Sequence, residues 1–295
     1  MADIYKERSE PLTTDVKARL ETKPKSWLVV FDYLFYAVVV VAVVGFVYYL
    51  FSFRNLLLLY LPVFLQGMLI TLVISLVSMV FAVIFGFMGA LGRLSQVPVV
   101  RWLATTYVEV VRGTPILVQL LLWYYGVGLV LSNLGFDPYT IAYQAMTALQ
   151  NNSLVPDAFN GYFYGIIGLS FNYGAYLTEV FRSGIQSVDK GQAEAALSLG
   201  LNSGQVMRRV VLPQSIRLTV PPFTNNFITL IQDSALLSIL SVIELEHTTF
   251  GLALPQLHAN DKFFVFIFGA VFYLVLCYPL ALLARHFEKR MAAAY

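Results

Sequence analysis

A chain of 295 residues that is 58% hydrophobic and only 12% charged cannot hide its apolar surface in one aqueous core; a soluble domain is about a quarter charged. A net charge of +2 gives no ground for a nucleic-acid partner, and the single cysteine, Cys277, excludes an internal disulfide. The composition describes an all-α integral membrane protein, and its 18 tyrosines suit interfacial belts.

In chain order, residues 1–26 form a polar tail in which Lys6, Arg8, Lys17, Arg19, Lys23 and Lys25 alternate with acids, unlike a secretory signal. Charge-free runs then mark six transmembrane helices. The first is residues 33–53. The run 55–92 is too long for one crossing, so Pro62 and the pair Gln66-Gly67 are expected to break it. That leaves an interfacial piece at 56–61 and a second span at 67–91. Residues 93–113 read as an amphipathic elbow at the membrane surface before the third span. The third span is 114–134, the fourth 162–178, the fifth 218–243 and the sixth 263–284. The pair Pro221-Pro222 predicts an irregular start to the fifth. Lys and Arg cluster in the N-terminal tail, after the second and fourth spans, and at the C-terminus, whereas 135–161 has neither. The positive-inside rule then places both termini in the cytoplasm.

Ser78, Ala82, Gly86 and Ala90 recur every fourth residue, a stripe that lets helix backbones approach closely. In the fifth span Asn225, Asn226, Thr229, Gln232 and Asp233 fall on one helical face. Polar groups in a span must face protein or water, so this face is a candidate substrate pathway, with Gln119 and Asn172 as weaker members. A capping role for Asp233 near the outer interface, and plain interhelical hydrogen bonds for Gln119 and Asn172, explain them as well. Glu109 with Arg112, and Glu179 with Arg182, are i,i+3 pairs near the cytoplasmic side. They read as intrahelical neutralisation or as a cytoplasmic gate.

Between two apolar runs stands GQAEAALSLGLNSGQVMRRVVLPQ, a short helix, a break at Gly200 and a second short helix expected to stop before Pro213. Glu194-Ala195-Ala196, Gly200 and Leu212-Pro213 are spaced as in the EAA loop of ABC importer permeases, with Val210 where Ile is usual. The stretches YVEVVRGTPILVQLLLWYYG, FNYGAYLTEVFRSGIQSVDKGQAEAA and NNFITLIQDSALLSI closely resemble permeases of polar amino acid uptake systems. The resemblance covers roughly residues 65–290.

This resemblance implies a type I importer permease fold with an extra N-terminal helix at 27–54, a permease domain at 55–290 with its coupling loop at about 183–217, and a tail at 291–295. It implies a permease subunit of a binding-protein-dependent ABC importer in the bacterial inner membrane. Its expected partners are two ATP-binding subunits, a second permease chain, an external binding protein and a polar amino acid. Glu194, Ala195, Ala196, Gly200, Leu212 and Pro213 would couple to the ATPases. ATP and Mg would bind those subunits, because this chain has no Gly-x4-Gly-Lys-Ser/Thr loop. No catalytic, cofactor or metal site is expected: His247, His258 and His286 are scattered. The outer loop 126–161 is longer than the family's compact version, Gln232 stands where Lys is frequent, and Ala235 where Ser is frequent. Opines or cystine are therefore alternative cargoes. A secondary transporter is a different class, which would need a coupling ion and inverted repeats.

Overall fold

A computed structural model describes residues 26–148 and 155–292. The expected tail at 1–26 falls, up to residue 25, outside the described residues, as do 149–154 of the outer loop and 293–295. No strand occurs among the described residues. The chain divides into two compact units, Met1–Leu57 and Leu58–Tyr295.

In the first unit, helix α1 (Ser26–Ser52) is apolar on all faces beyond Asp32, the pattern of a helix that meets lipid all round. Helix α2 (Arg54–Leu94) begins there and continues into the second unit. It corrects one expectation. The 41-residue helix runs unbroken through Pro62, Gln66 and Gly67, so no separate interfacial piece exists at 56–61. Proline removes one hydrogen bond, but inside a membrane bundle neighbouring helices re-satisfy the backbone. Gly67 has a further use: a Cβ there would lie 2.9 Å from the Thr248 hydroxyl.

The second unit continues with α3 (Pro98–Arg112), α4 (Ile116–Asn133, with a π-helical stretch at Leu122–Val127), α5 (Pro138–Ala148) and α6 (Phe159–Gln186). The short α7 (Lys190–Ser198) follows, then α8 (Ser203–Leu240), α9 (Leu245–Ala253) and α10 (Ala259–Ala292). Helix α3 exposes Val99, Val100, Trp102 and Leu103 and buries Val108 and Val111 on α6, as a surface-lying amphipathic helix should.

Four described helices are long and apolar enough to cross a membrane: α1, α2, α4 and α10. The pair α8 and α9, bent by 56°, makes a fifth. The expected fourth span is α6. Its 28 residues are ample, at ~1.5 Å each, to cross ~30 Å of hydrocarbon, but it is rich in Gly, Asn and Tyr. It can be so because it is the centre of the bundle: α3, α4, α5 and α8 all pack on it, and α10 packs on α8.

Small residues make that packing possible. Ser78, Ala82, Gly86 and Ala90 of α2 are all buried, and a Cβ on Gly86 would lie 2.6 Å from the Leu177 Cβ. On α6, Gly165 faces Leu237 and Gly174 faces Phe85 and Tyr107. The core they enclose joins Ile74, Met79 and Ala82 of α2 to Leu120, Leu169, Leu177, Leu230 and Leu237.

Candidate functional site

The segment leaving α6 is built by caps. Asp189 accepts a hydrogen bond from the Gly191 N–H at 2.6 Å and so starts α7. Gly200, at φ +85°, ends it in the left-handed conformation that glycine adopts without strain. Asn202 and Gln205 then form a reciprocal capping box that opens α8. Ala196 is buried among Val188, Val206 and Val211, so it holds the two short helices together. Glu194, Ala195 and Leu199 stay exposed, Leu199 at 84%. The two alanines of the motif thus divide the work: one packs inward and one faces out.

The second short helix does not stop before Pro213. Ser203–Val206 passes through a π turn at Met207–Val211 into Leu212–Asp233 without a break. The π turn widens the helix where Pro213 lacks its N–H, the usual setting for such a bulge. Leu212 is half-buried and Pro213 exposed. Likewise Pro221 and Pro222 lie inside regular helix, with Pro221 itself buried, so the irregular start is corrected too.

On α8, Asn225, Thr229 and Gln232 are exposed, and Asn226 and Asp233 half-buried. Thr229 and Asn226 bond only to their own helix, at Asn225 O and Pro222 O. Asp233 accepts from the Tyr173 hydroxyl of α6 at 2.7 Å. The opposite face of α8, with Thr224, Leu230 and Ile231, is buried. Asn225, Thr229 and Gln232 therefore point away from the chain's own bundle, while Asp233, at the edge of the face, turns back to α6. Gln119 and Asn172 lie elsewhere and meet each other. Both are buried, the Asn172 amide donates to Gln119 Oε1 at 3.0 Å, and the Gln119 amide donates to Val111 O, Thr114 O and Thr114 Oγ1. This bridge ties the α3–α4 break to α6.

The ends of α2, α3 and α6 frame an open cleft of about 460 Å³ lined by Arg93, Val108, Glu109, Arg112, Gly113, Tyr176 and Glu179. Glu179 pairs with Arg182 as the spacing predicts, at 2.7 Å, and also with Arg93 of α2. Glu109 and Arg112 do not pair. Arg112 lies instead over the Tyr176 ring, 5.2 Å from its centre. Arg93 is thus a member of the cluster that local spacing does not reveal.

Glu244 is a second such residue. It is fully buried at the bend between α8 and α9. Its carboxylate accepts from Thr71 (3.1 Å), Tyr273 (3.0 Å) and the His247 N–H (2.8 Å), and Thr71 accepts in turn from the Leu245 N–H. The one signal in the sequence is an acidic residue directly after the apolar run ending at Ile243, a cap position for α9.

On the far side of α6, Asp137 accepts from Thr140 and from the Asn160 amide, which also receives the Tyr139 N–H. These donors, Thr140 foremost, hold the Asp137 carboxyl below the ordinary 3.8. They staple α5 to the head of α6.

A bundle of apolar helices with an exposed helical hairpin at one end and an outward polar face on one helix defines a multi-pass membrane transport component. The chain belongs to the family of binding-protein-dependent transport system inner membrane components, whose model matches residues 79–293. Among its relatives is the L-cystine transport system permease protein TcyB of Bacillus subtilis (strain 168), 32% identical over 230 residues, covering 78% of this chain and 87% of that one. A solved chain described as an amino acid ABC transporter with histidines is 31% identical, with TM-score 0.65 over 79% of this chain and 96% of that chain. An inward-facing MetNI methionine ABC transporter, 17% identical with TM-score 0.54 over 77% of this chain and 97% of that one, shares the fold.

Proposed function

We propose that this chain is the permease subunit of an ATP-driven importer of polar amino acids. It works as one of two permease chains, above two ATP-binding subunits and below an external substrate-binding protein. ATP and Mg bind the ATPase subunits. Both termini and the α7–α8 hairpin lie in the cytoplasm, the reading that the distribution of Lys and Arg supports. The amino acid class is supported by the family and by relatives named for amino acid cargo, cystine among them.

The observation that carries the reading is the hairpin. It presents Glu194, Ala195 and Leu199 outward while packing Ala196 within, so a rigid, partly apolar knob is offered to a soluble partner. Movement of that knob reaches the bundle directly, because the second arm of the hairpin is the start of α8. The outward polar face of α8 (Asn225, Asn226, Thr229, Gln232 and Asp233) cannot rest against lipid, where an unpaired polar group costs several kcal/mol. It lines the pathway between the two permease chains. Gln119 and Asn172 support that pathway from behind by fixing α4 to α6. Glu109, Arg112, Glu179 and Arg182, with Arg93, form the cytoplasmic gate: Glu179 holds α2 to α6 by its ion pair with Arg93, and rocking of those helices must separate that pair, while Glu179–Arg182 stays within α6.

The test is a tagged purification from native membranes in mild detergent, followed by uptake in vesicles. An ATPase bearing a P-loop should copurify. Glu194→Lys and Gly200→Val should leave the complex in the membrane but lower ATP-driven uptake by about tenfold or more, a loss of coupling of ~1.4 kcal/mol or greater. Full uptake by both variants would refute the docking role of the hairpin.

A further inference from the structure

The charges around the cleft between α2, α3 and α6 fall into two unequal halves. In one half Glu179 is bonded to both Arg93 and Arg182, and Arg182 goes on to the Gln186 side chain at 2.5 Å. That half is closed on itself. The other half is open. Among the described residues, Arg112 makes no ion pair or hydrogen bond through its side chain, and its guanidinium is held only against the Tyr176 ring. Glu109, one turn earlier on α3, likewise makes no direct ion pair or hydrogen bond through its side chain and meets Arg93 only through the longer-range attraction of opposite charges. The two stand on one face of α3, with Cβ atoms about 5–6 Å apart as for any i,i+3 pair, yet they turn to the cleft and not to each other.

We infer that this open half takes the zwitterionic head of an α-amino acid. The inference rests on the amino-acid importer reading above. The Arg112 fork donates to the α-carboxylate, the geometry in which guanidinium recognises carboxylate best. The Glu109 carboxylate accepts from the α-ammonium. Val108 and the Tyr176 ring wall the space for the side chain, and about 460 Å³ is room for an amino acid with water around it. The lining has two cations and two anions, Arg93 and Arg112 against Glu109 and Glu179, so a net-neutral zwitterion enters without leaving a charge unbalanced.

This position makes the ligand regulatory. Arg112 and Glu109 are on α3, and Tyr176 and Glu179 on α6, whose next residues lead through Asp189 into the coupling hairpin. An amino acid seated here bridges α3 to α6 and stabilises the arrangement that binds it, in proportion to its concentration on the hairpin side. Imported amino acid that accumulates on that side slows its own import.

The test uses the whole complex, purified through a tag on this chain and reconstituted in vesicles with ATP enclosed and the binding protein outside. Labelled uptake of the twenty common amino acids and L-cystine first identifies the cargo. Initial uptake is then compared between empty vesicles and vesicles enclosing that amino acid or its N-acetyl form, which lacks the ammonium. The enclosed amino acid should slow uptake by about fivefold or more; the N-acetyl form should not. In Arg112→Gln and Glu109→Gln the ratio of loaded to empty rates should return to near one, whatever their absolute rates. Should either variant be too slow to time, equilibrium binding of the labelled amino acid to the complex without binding protein replaces the ratio, and binding should be lost. Equal rates in loaded and empty vesicles overturn the inference. So does equal inhibition by the N-acetyl form, or inhibition and binding unchanged in both variants. If none of the panel is transported, the amino-acid reading itself fails and the inference falls with it, a result distinct from transport without inhibition.

Discussion

Replacing Glu244 by alanine withdraws one acceptor from three donors in the densest part of the bundle. The Tyr273 hydroxyl, from α10, is left without its partner, and a buried orphan donor costs about 1–3 kcal/mol. The Thr71 hydroxyl, from α2, loses its acceptor at a similar cost, although it keeps the bond it receives from the Leu245 N–H. The His247 N–H loses its helix cap, worth about 0.5–2 kcal/mol. Together the loss is about 2.5–8 kcal/mol, before any cavity left by the side chain. Tyr273→Phe is the informative partner variant. It removes one donor and strands none, and Glu244 keeps Thr71 and His247, so it should cost only about 1–2 kcal/mol. Glu244→Gln keeps an acceptor for His247 and the side-chain volume but turns the oxygen shared by Thr71 and Tyr273 into a donor, so both hydroxyl hydrogens lose their acceptor and its cost should fall between the other two. The measurement is the temperature at which monodisperse protein is lost in detergent, followed by size-exclusion chromatography of a fluorescent fusion. The expected order of damage is Glu244→Ala, then Glu244→Gln, then Tyr273→Phe. An alanine variant that melts with wild type, or a Phe variant that melts earlier than the alanine one, would refute the reasoning.

Three further outcomes are expected. Gly86→Val should cost about 1–3 kcal/mol by overpacking, because its Cβ alone would press on Leu177, and should lower the melting temperature in the same assay, whereas Gly45→Val on α1, where a Cβ meets nothing within 4 Å, should not. Tyr173→Phe should release Asp233 and raise the KM for uptake several-fold with less effect on maximal rate, since a bond to a charged group is worth about 1.5–3 kcal/mol; unchanged KM and rate would make that bond incidental. Asp137 is held below its ordinary 3.8, so the staple it makes contributes stability above that value and loses it only as pH falls through the lower folded one. Limited proteolysis of α5 should accordingly be flat from neutral pH down to about 4 in wild type, and already elevated at neutral pH in Asp137→Ala.

The parts of the fold that were legible in the sequence are those written in local repeats. The four-residue stripe on α2 and the break of the hairpin at Gly200 each sit within a few turns of chain, and each is where the sequence places it. The prolines misled because their helix-breaking rule describes helices in water. At Pro62, Pro221 and Pro222 the helix continues, since lipid offers the chain no better state than helix; at Pro213, in the exposed hairpin, the π turn just before it takes up the lost bond. Glu244 and Arg93 were illegible for another reason. Glu244 meets Thr71 across 173 positions, and Arg93 reaches Glu179 from a different helix, so neither bond leaves a mark at short spacing.

The polar groups of this chain sort by whether the chain itself satisfies them. Gln119, Asn172 and Glu244 are buried and bonded to other helices, each tying together helices far apart in sequence. Leaving any one unpaired would cost as much as a sizeable fraction of a domain's stability, so these groups specify the architecture. Asn225, Thr229, Gln232, Glu109 and Arg112 are different: they are exposed, and their side chains spend few or no bonds on other helices. In a chain whose surroundings are mostly lipid, an open polar group is retained only where water, a second chain or a ligand meets it. The occupied set therefore marks what holds the bundle, and the open set marks, from inside this one chain, the surfaces along which transport must run.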